Sequence, residues 1–250
     1  CASGGAATGE AASIIQRGEA DIILTGGYEA PLQPVFYAGF NAMKALATAD
    51  NPIQAVKPFD LDRNGFILGE GSAMLILEEL EHAKLRGAHI YAELSAAATS
   101  ADAFDMVAAS GEGIAHAMRA ALLQADLTPE DIGYINAHGT GTPLNDRVET
   151  QAIKGVFKES AYKLAVSSTK GATGHMMGAA GAVEAALTIM AVRDQELPPT
   201  LNYMSSDPDC DLDYVPNISR PVEIDHAMST SVGLGGHNSA IILSKWMKDM

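Results

Sequence analysis

Two histidines stand in loops built largely from glycine and threonine: Asn136-Ala137-His138-Gly139-Thr140-Gly141-Thr142-Pro143 and Ser167-Ser168-Thr169-Lys170-Gly171-Ala172-Thr173-Gly174-His175. A thiol heads the small-residue run Cys1-Ala2-Ser3-Gly4-Gly5-Ala6-Ala7-Thr8-Gly9-Glu10. A cysteine at the start of a helix is where a nucleophile gains from the positive end of the helix dipole, which lowers its pKa. Three roles are open to Cys1 on this evidence: an N-terminal nucleophile whose own amine acts as base, a lipid-modified cysteine, or the catalytic cysteine of a longer sequence. Zinc is a further use, since Cys1, His138, His175 and Cys210 are all potential ligands, but none of the close pair spacings of structural zinc sites is present. Gly233-Leu234-Gly235-Gly236 reads either as a tight turn or as a loop that brings backbone amides to a substrate oxygen.

These groups need elements to position them, and helical and strand patterns alternate along the chain. A small-residue helix over residues 2–17 precedes an apolar strand over 21–27. A second strand over 72–78 leads into a charged helix over 79–86, which Gly87 closes. A strand over 89–96 and an amphipathic helix over 114–125 follow. Thr128-Pro129-Glu130-Asp131 carries the signs of a helix start: a capping Thr, Pro at the first position, and acids in the first turn. Short strands at 133–137 and 163–167 each run into one of the histidine loops. A Gly- and Ala-rich helix then extends to about residue 194, and a strand over 239–245 ends the pattern. Such alternation indicates an α/β fold with covered sheets. In that class ligands gather at the carboxyl ends of strands, where both histidines fall. An internal seam is expected near Gly87.

The chain has 250 residues, of which 47% are hydrophobic and 19% charged, the balance of a globular protein with a substantial core. Its two cysteines form no disulfide framework, which favours a reducing, cytoplasmic setting. No uncharged apolar run reaches the length of a membrane span, because Glu184 and Arg193 interrupt the best candidate. Sixteen basic against thirty-one acidic residues leave a net charge of −15, which argues against nucleic-acid binding. An acidic protein partner would have to dock on a local basic patch against the overall field.

Taken together, the motifs resemble the β-ketoacyl-acyl-carrier-protein synthases, the elongating condensing enzymes of type II fatty acid synthesis in the thiolase-like superfamily. The matching blocks are Cys1-Ala2-Ser3-Gly4, then residues 38–42, 57–71, 136–146, 167–175 and 209–216, in family order over nearly the whole chain. The resemblance implies a layered αβαβα fold, here incomplete, because the family carries a long stretch before the cysteine. Residues 1–87 would be the remainder of the N-terminal half and 88–250 the C-terminal half. It implies an acyl carrier protein as partner, substrates borne on its phosphopantetheine, no other cofactor, and a homodimeric full-length parent. With nucleic acid and membrane excluded, the setting would be cytoplasmic.

The same resemblance implies residue roles. Cys1 would accept the acyl chain as a thioester, and His138 and His175 would hydrogen-bond the malonyl thioester carbonyl as carbon dioxide leaves. Neutral imidazole N–H groups can hold an enolate oxygen without protonating the carbanion. Lys170 would orient the histidines and Glu184 would support His175, with Asp146 and Glu149 as supporting acids. Thr140 and Thr142 match positions that bind the phosphopantetheine arm, and Lys44 a position that docks the carrier. The backbone N–H groups of Cys1 and Leu234 would form the oxyanion hole. Leu234 stands where the family commonly has a gating Phe, Asn64 where it has Asp, and Met106-Val107-Ala108-Ala109-Ser110 replaces a Thr/Pro-rich loop. The 250-residue piece is expected to be inactive alone, as an incomplete chain or one half of a split enzyme. Missing strands would leave sheet edge and core surface uncovered.

Overall fold

The computed structural model describes residues 1–247. Helix α1 (Ser3–Gln16) leads into β1 (Ile22–Glu29), which pairs antiparallel with β2 (Gly71–Glu78) so that Leu24 faces Ile76 and Gly26 faces Met74. Between them lies α2 (Pro34–Ala42), and after them α3 (Leu80–Leu85). Then come β3 (Ala92–Ala101), α4 (Gly111–Ala125), β4 (Ile132–Asn136), α5 (Pro143–Phe157) and β5 (Ala165–Ser167). The short α6 (Lys170–Thr173) precedes α7 (Ala180–Asp194), and β6 (Glu196–Leu197) pairs with β7 (Arg220–Pro221). Strands β8 (His226–Gly233) and β9 (His237–Lys245) complete the order.

The main sheet runs β3-β9-β8-β4-β5, with β4 parallel to both β5 and β8, and β9 antiparallel to β3 and β8. Helices α4 and α5 pack together on one side of it, and α1 and α7 lie on the other, between this sheet and the β1–β2 ribbon. The order is therefore ribbon, helices, sheet, helices, which is four of the layers of an αβαβα sandwich. The close crossing of α1 and α7 depends on glycine, since a Cβ on Gly4 would come within 2.7 Å of the Ala182 nitrogen. The outer face of the ribbon carries Ile22, Leu24, Met74 and Ile76 exposed to solvent. Under the other helices the core gathers Met118, Ile135, Ile153, Phe157, Met228 and Ile242. Each such side chain contributes about 1.5–3 kcal/mol by leaving water. This core fixes the ends of β4 and β5, from which both histidine loops emerge.

Several elements depart from the sequence reading for identifiable reasons. Strand β8 escapes a hydrophobic pattern because Ser229, Thr230 and Ser231 are polar, yet all three are buried in the middle of the sheet. Helix α2 has no buried residue to produce a periodic stripe. The Thr128–Asp131 capping box closes only a 3₁₀ turn, Pro129–Asp131, because β4 begins at once. Strand β3 starts three residues later than the apolar pattern and continues through small residues to Ala101. The Gly/Ala-rich helix is interrupted at Gly174, whose φ of +68° ends α6, and resumes as α7 after a 3₁₀ turn. No helix among the described residues is long and apolar enough to cross a membrane.

Candidate active site

Strand β4 ends at Asn136 and places His138 two residues beyond it, while β5 ends at Ser167 and leads through α6 to His175. The two imidazoles meet edge to face with ring centroids 5.2 Å apart. Each is held from its backbone. The His138 N–H donates to Glu149 Oε1 at 2.8 Å, and the Gly139 N–H to Glu149 Oε2 at 2.8 Å. The His175 N–H donates to the Ile67 carbonyl at 2.7 Å, and the Gly69 N–H donates to the His175 carbonyl at 2.9 Å. The second histidine is thus tied to the segment before β2, and the first to α5.

Cys1 precedes the N-terminus of α1 and packs against the apolar cluster Phe66, Leu68 and Met177. Phe66 in turn stands edge-on to the His175 ring at 5.2 Å, so one aromatic side chain links the thiol's surroundings to the histidine pair. The turn between β8 and β9 closes over the same place: a Cβ on Gly233 would lie 3.2 Å from the Cys1 nitrogen. Leu234 follows on that turn, 44% exposed, at the edge of the site.

Lys170 is completely buried, and its ammonium donates to the Glu184 carboxylate reaching in from α7. Lys170 therefore bonds Glu184 and neither imidazole ring, and its effect on the histidines is through charge. Burial first, and then the Lys170 ammonium, hold His138 and His175 well below the usual histidine range. Both rings are consequently neutral hydrogen-bond donors at physiological pH. Burial raises the Glu184 carboxyl to about 7 against the opposing pull of Lys170. The Nδ1 atoms of both histidines and Oε2 of Glu184 are buried without a partner.

The supporting acids act on backbone. Asp146 accepts from the Phe59 N–H at 2.8 Å and the Gly141 N–H at 3.1 Å, and burial raises its carboxyl to about 6. Arg63, whose guanidinium also binds Asp207, flanks it at 3.8 Å. Thr140 and Thr142 share a hydrogen bond of 2.9 Å in the His138 loop, and Thr142 caps α5 by accepting from the Asn145 N–H. Lys44 stands exposed just past α2, and its side chain has no ion pair among the described residues. Asn64 bridges to the Thr48 backbone through both ends of its amide. Cys210 is fully buried against the core, and burial pushes its thiol up to about 11, so it is a packing residue. Two residues near the site carry no signal in their local sequence, Met177 and Glu29: the first touches the Cys1 sulfur and the second binds the turn that carries Met177.

The family models described as "Beta-ketoacyl synthase, N-terminal domain" and "Beta-ketoacyl synthase, C-terminal domain" match residues 1–83 and 91–204. The 3-oxoacyl-[acyl-carrier-protein] synthase 2 of Staphylococcus aureus is 46% identical over 248 residues, covering 98% of this chain and 60% of that protein. The protein of the same description from Synechocystis sp. is 48% identical over 249 residues, covering 98% and 60%. A solved structure described as a type II PKS acyl-carrier protein in complex with its ketosynthase bound to the hexaketide superposes with TM-score 0.97 at 42% identity. It covers 99% of this chain and 62% of its own. A β-ketoacyl synthase from Burkholderia phymatum superposes with TM-score 0.95 at 38% identity, covering 99% and 60%. The chain thus spans about 60% of the length of the relatives it matches. Identity at this level from end to end of the chain, carried on a superposable fold, admits one assignment: the chain belongs to the β-ketoacyl synthase family.

Proposed function

We propose that the protein carrying this chain catalyses the decarboxylative condensation of an acyl thioester with malonyl-acyl-carrier protein, giving 3-oxoacyl-acyl-carrier protein and carbon dioxide in fatty acid elongation. The observation that carries the reading is the pair of buried, neutral imidazoles in the loops that follow the adjacent strands β4 and β5, 5.2 Å apart and linked through Phe66 to the surroundings of Cys1.

In the first half-reaction the Cys1 sulfur attacks the acyl thioester carbonyl. The phosphopantetheine thiol leaves and takes the proton that Cys1 gives up, so the acyl group becomes a Cys1 thioester. In the second, the malonyl thioester oxygen accepts N–H bonds from His138 and His175 while the carboxylate departs as carbon dioxide. The electron pair left on carbon is held as an enolate. That carbon attacks the acyl-Cys1 carbonyl, whose oxyanion is met by the backbone N–H groups of Cys1 and Leu234. The Cys1–acyl bond then breaks and the sulfur recovers a proton. The packing of Gly233 on the Cys1 nitrogen supports this use of the loop. Lys170 and Glu184 hold the electrostatic setting of the rings; Asp146 and Glu149 hold their loop. Thr140 and Thr142 offer hydroxyls to the phosphopantetheine arm, and Lys44 a cation to an acidic acyl carrier protein.

The test separates the two half-reactions in the complete gene product. His138→Ala and His175→Ala are expected to abolish release of carbon dioxide from malonyl-carrier protein while Cys1 still acquires an acyl mass. Loss of acylation with decarboxylation intact would overturn the assignment of roles.

A further inference from the structure

The Cys1 thiol is not open on every side: its Sγ lies 3.8 Å from the thioether sulfur of Met177. Met177 is almost completely buried, among Phe66 and Leu68, with Phe40 packed on the same cluster. Its backbone has a φ of +44°, in the left-handed region that a side-chain-bearing residue adopts only when its surroundings impose it. What imposes it here is visible. The next residue, Gly178, donates its N–H to Glu29 Oε2 at 3.2 Å, at the end of β1. The Gly178 carbonyl lies 2.7 Å from where a Cβ on Gly27 would be, so β1 presses directly on the turn.

An acyl group joined to Cys1 would extend from the sulfur into these apolar surroundings, where the Met177 side chain stands. Methionine is unbranched, with three rotatable bonds, and can yield by changing rotamer without moving the backbone. The backbone that carries it is held by Glu29. From these contacts we infer that Met177 sets which acyl groups Cys1 accepts, and that Glu29 is a positioning residue acting through the Gly178 amide. The inference rests on Cys1 being the acyl acceptor. It identifies the selected feature as the extension of the acyl chain beyond the first atoms after the sulfur, where it must pass Met177.

The experiment measures acylation of Cys1 by intact mass in the complete gene product, with acetyl and dodecanoyl thioesters of one carrier supplied separately. Met177→Ala is expected to raise the dodecanoyl-to-acetyl rate ratio by about tenfold or more, the discrimination that a methylene-sized change makes in an apolar pocket. Met177→Gly, which suits the left-handed backbone, is expected to do the same and guards against a folding defect in the alanine variant. Glu29→Ala should shift the ratio in the same direction. Glu29→Gln retains a carbonyl acceptor for Gly178 and should keep the native ratio, a rescue that a general loss of stability would not show. A ratio that stays within about twofold of native in both Met177 variants, well short of the pocket effect, overturns the inference while leaving Cys1 as acceptor. Absence of any acyl mass on Cys1 with either thioester overturns both.

Discussion

Glu149 offers the sharpest test of how the first histidine is held. Its carboxylate is completely buried and accepts from the His138 and Gly139 N–H groups and the Thr230 hydroxyl, each at 2.8 Å. His138 has a second acceptor, Thr230 Oγ1 at 3.2 Å, whereas the Gly139 N–H has no second acceptor among the described residues. Glu149→Ala therefore strands the Gly139 amide and the Thr230 hydroxyl, at roughly 1–3 kcal/mol each, for a loss of roughly 2–6 kcal/mol. Glu149→Gln keeps one carbonyl oxygen but turns an NH₂ toward a donor, stranding one group for about 1–3 kcal/mol. At about 2–4 °C per kcal/mol for a chain of this size, the melting temperature should fall by roughly 2–12 °C in Glu149→Gln, and by more in Glu149→Ala. Loss of the anchor also frees the His138 loop, and a displacement of about 1 Å at a reacting group can cost on the order of 100-fold. Differential scanning fluorimetry and a carbon dioxide release assay on the same preparations read both effects. A Glu149→Gln variant that melts with the native protein and decarboxylates at the native rate would refute the reasoning.

Two further outcomes follow from the same contacts. Lys170→Met removes the ammonium that helps depress both imidazoles, so their pKa values rise and the acid limb of the decarboxylation profile moves to higher pH; an unmoved limb would mean that the ammonium takes no part. In the native protein Glu184 retains its proton up to about 7, whereas the unfolded chain loses it near 4.5, so its contribution to stability falls as pH rises through that window. In Lys170→Met that window should extend upward, as measured by urea midpoints across pH. Gly4→Ala must push α1 from α7, because the new Cβ meets the Ala182 nitrogen at 2.7 Å, and should cost about 1–3 kcal/mol. Gly155→Ala, inside α5 with nothing within 4 Å, should stabilise by roughly 0.5–1 kcal/mol in the same denaturation assay.

The strand-end positions of the two histidines were legible because β4 and β5 are short apolar runs, Tyr134-Ile135 and Ala165-Val166, bounded by Gly and Thr. The strand between β4 and β9 was not. Its central Ser229-Thr230-Ser231 is buried through tertiary hydrogen bonds, such as Thr230 to Glu149 across 81 residues of sequence, and no local pattern encodes that satisfaction. The Lys170–Glu184 pair is similar: the sequence points to both residues, but their direct bond depends on α6 breaking at Gly174 so that α7 can return its carboxylate to the ammonium. Met177 is further still from sequence, since its contact with Cys1 comes from a left-handed turn clamped by β1. Residues were legible where their role is carried by type and strand-end position, and illegible where it is carried by one long-range contact.

The burial of the histidine pair bears directly on why condensation would stay coupled to decarboxylation. A histidine at its ordinary pKa of about 6.5 is substantially protonated just below neutral pH. An imidazolium beside a newly formed carbanion would deliver that proton, and the malonyl unit would end as an unproductive acetyl thioester. Burial depresses both rings, and the Lys170 ammonium depresses them further, so in the proposed reaction the groups facing the enolate would donate hydrogen bonds without being acids. An unpaired ammonium at that depth would itself be costly, and the Glu184 carboxylate offsets the cost. Burial also lifts the Glu184 carboxyl to about 7. Acidification should therefore protonate Glu184 before either imidazole. The acid limb of decarboxylation is therefore expected below the ordinary histidine range, and a limb at about 6.5 in a pH–rate profile would refute this account.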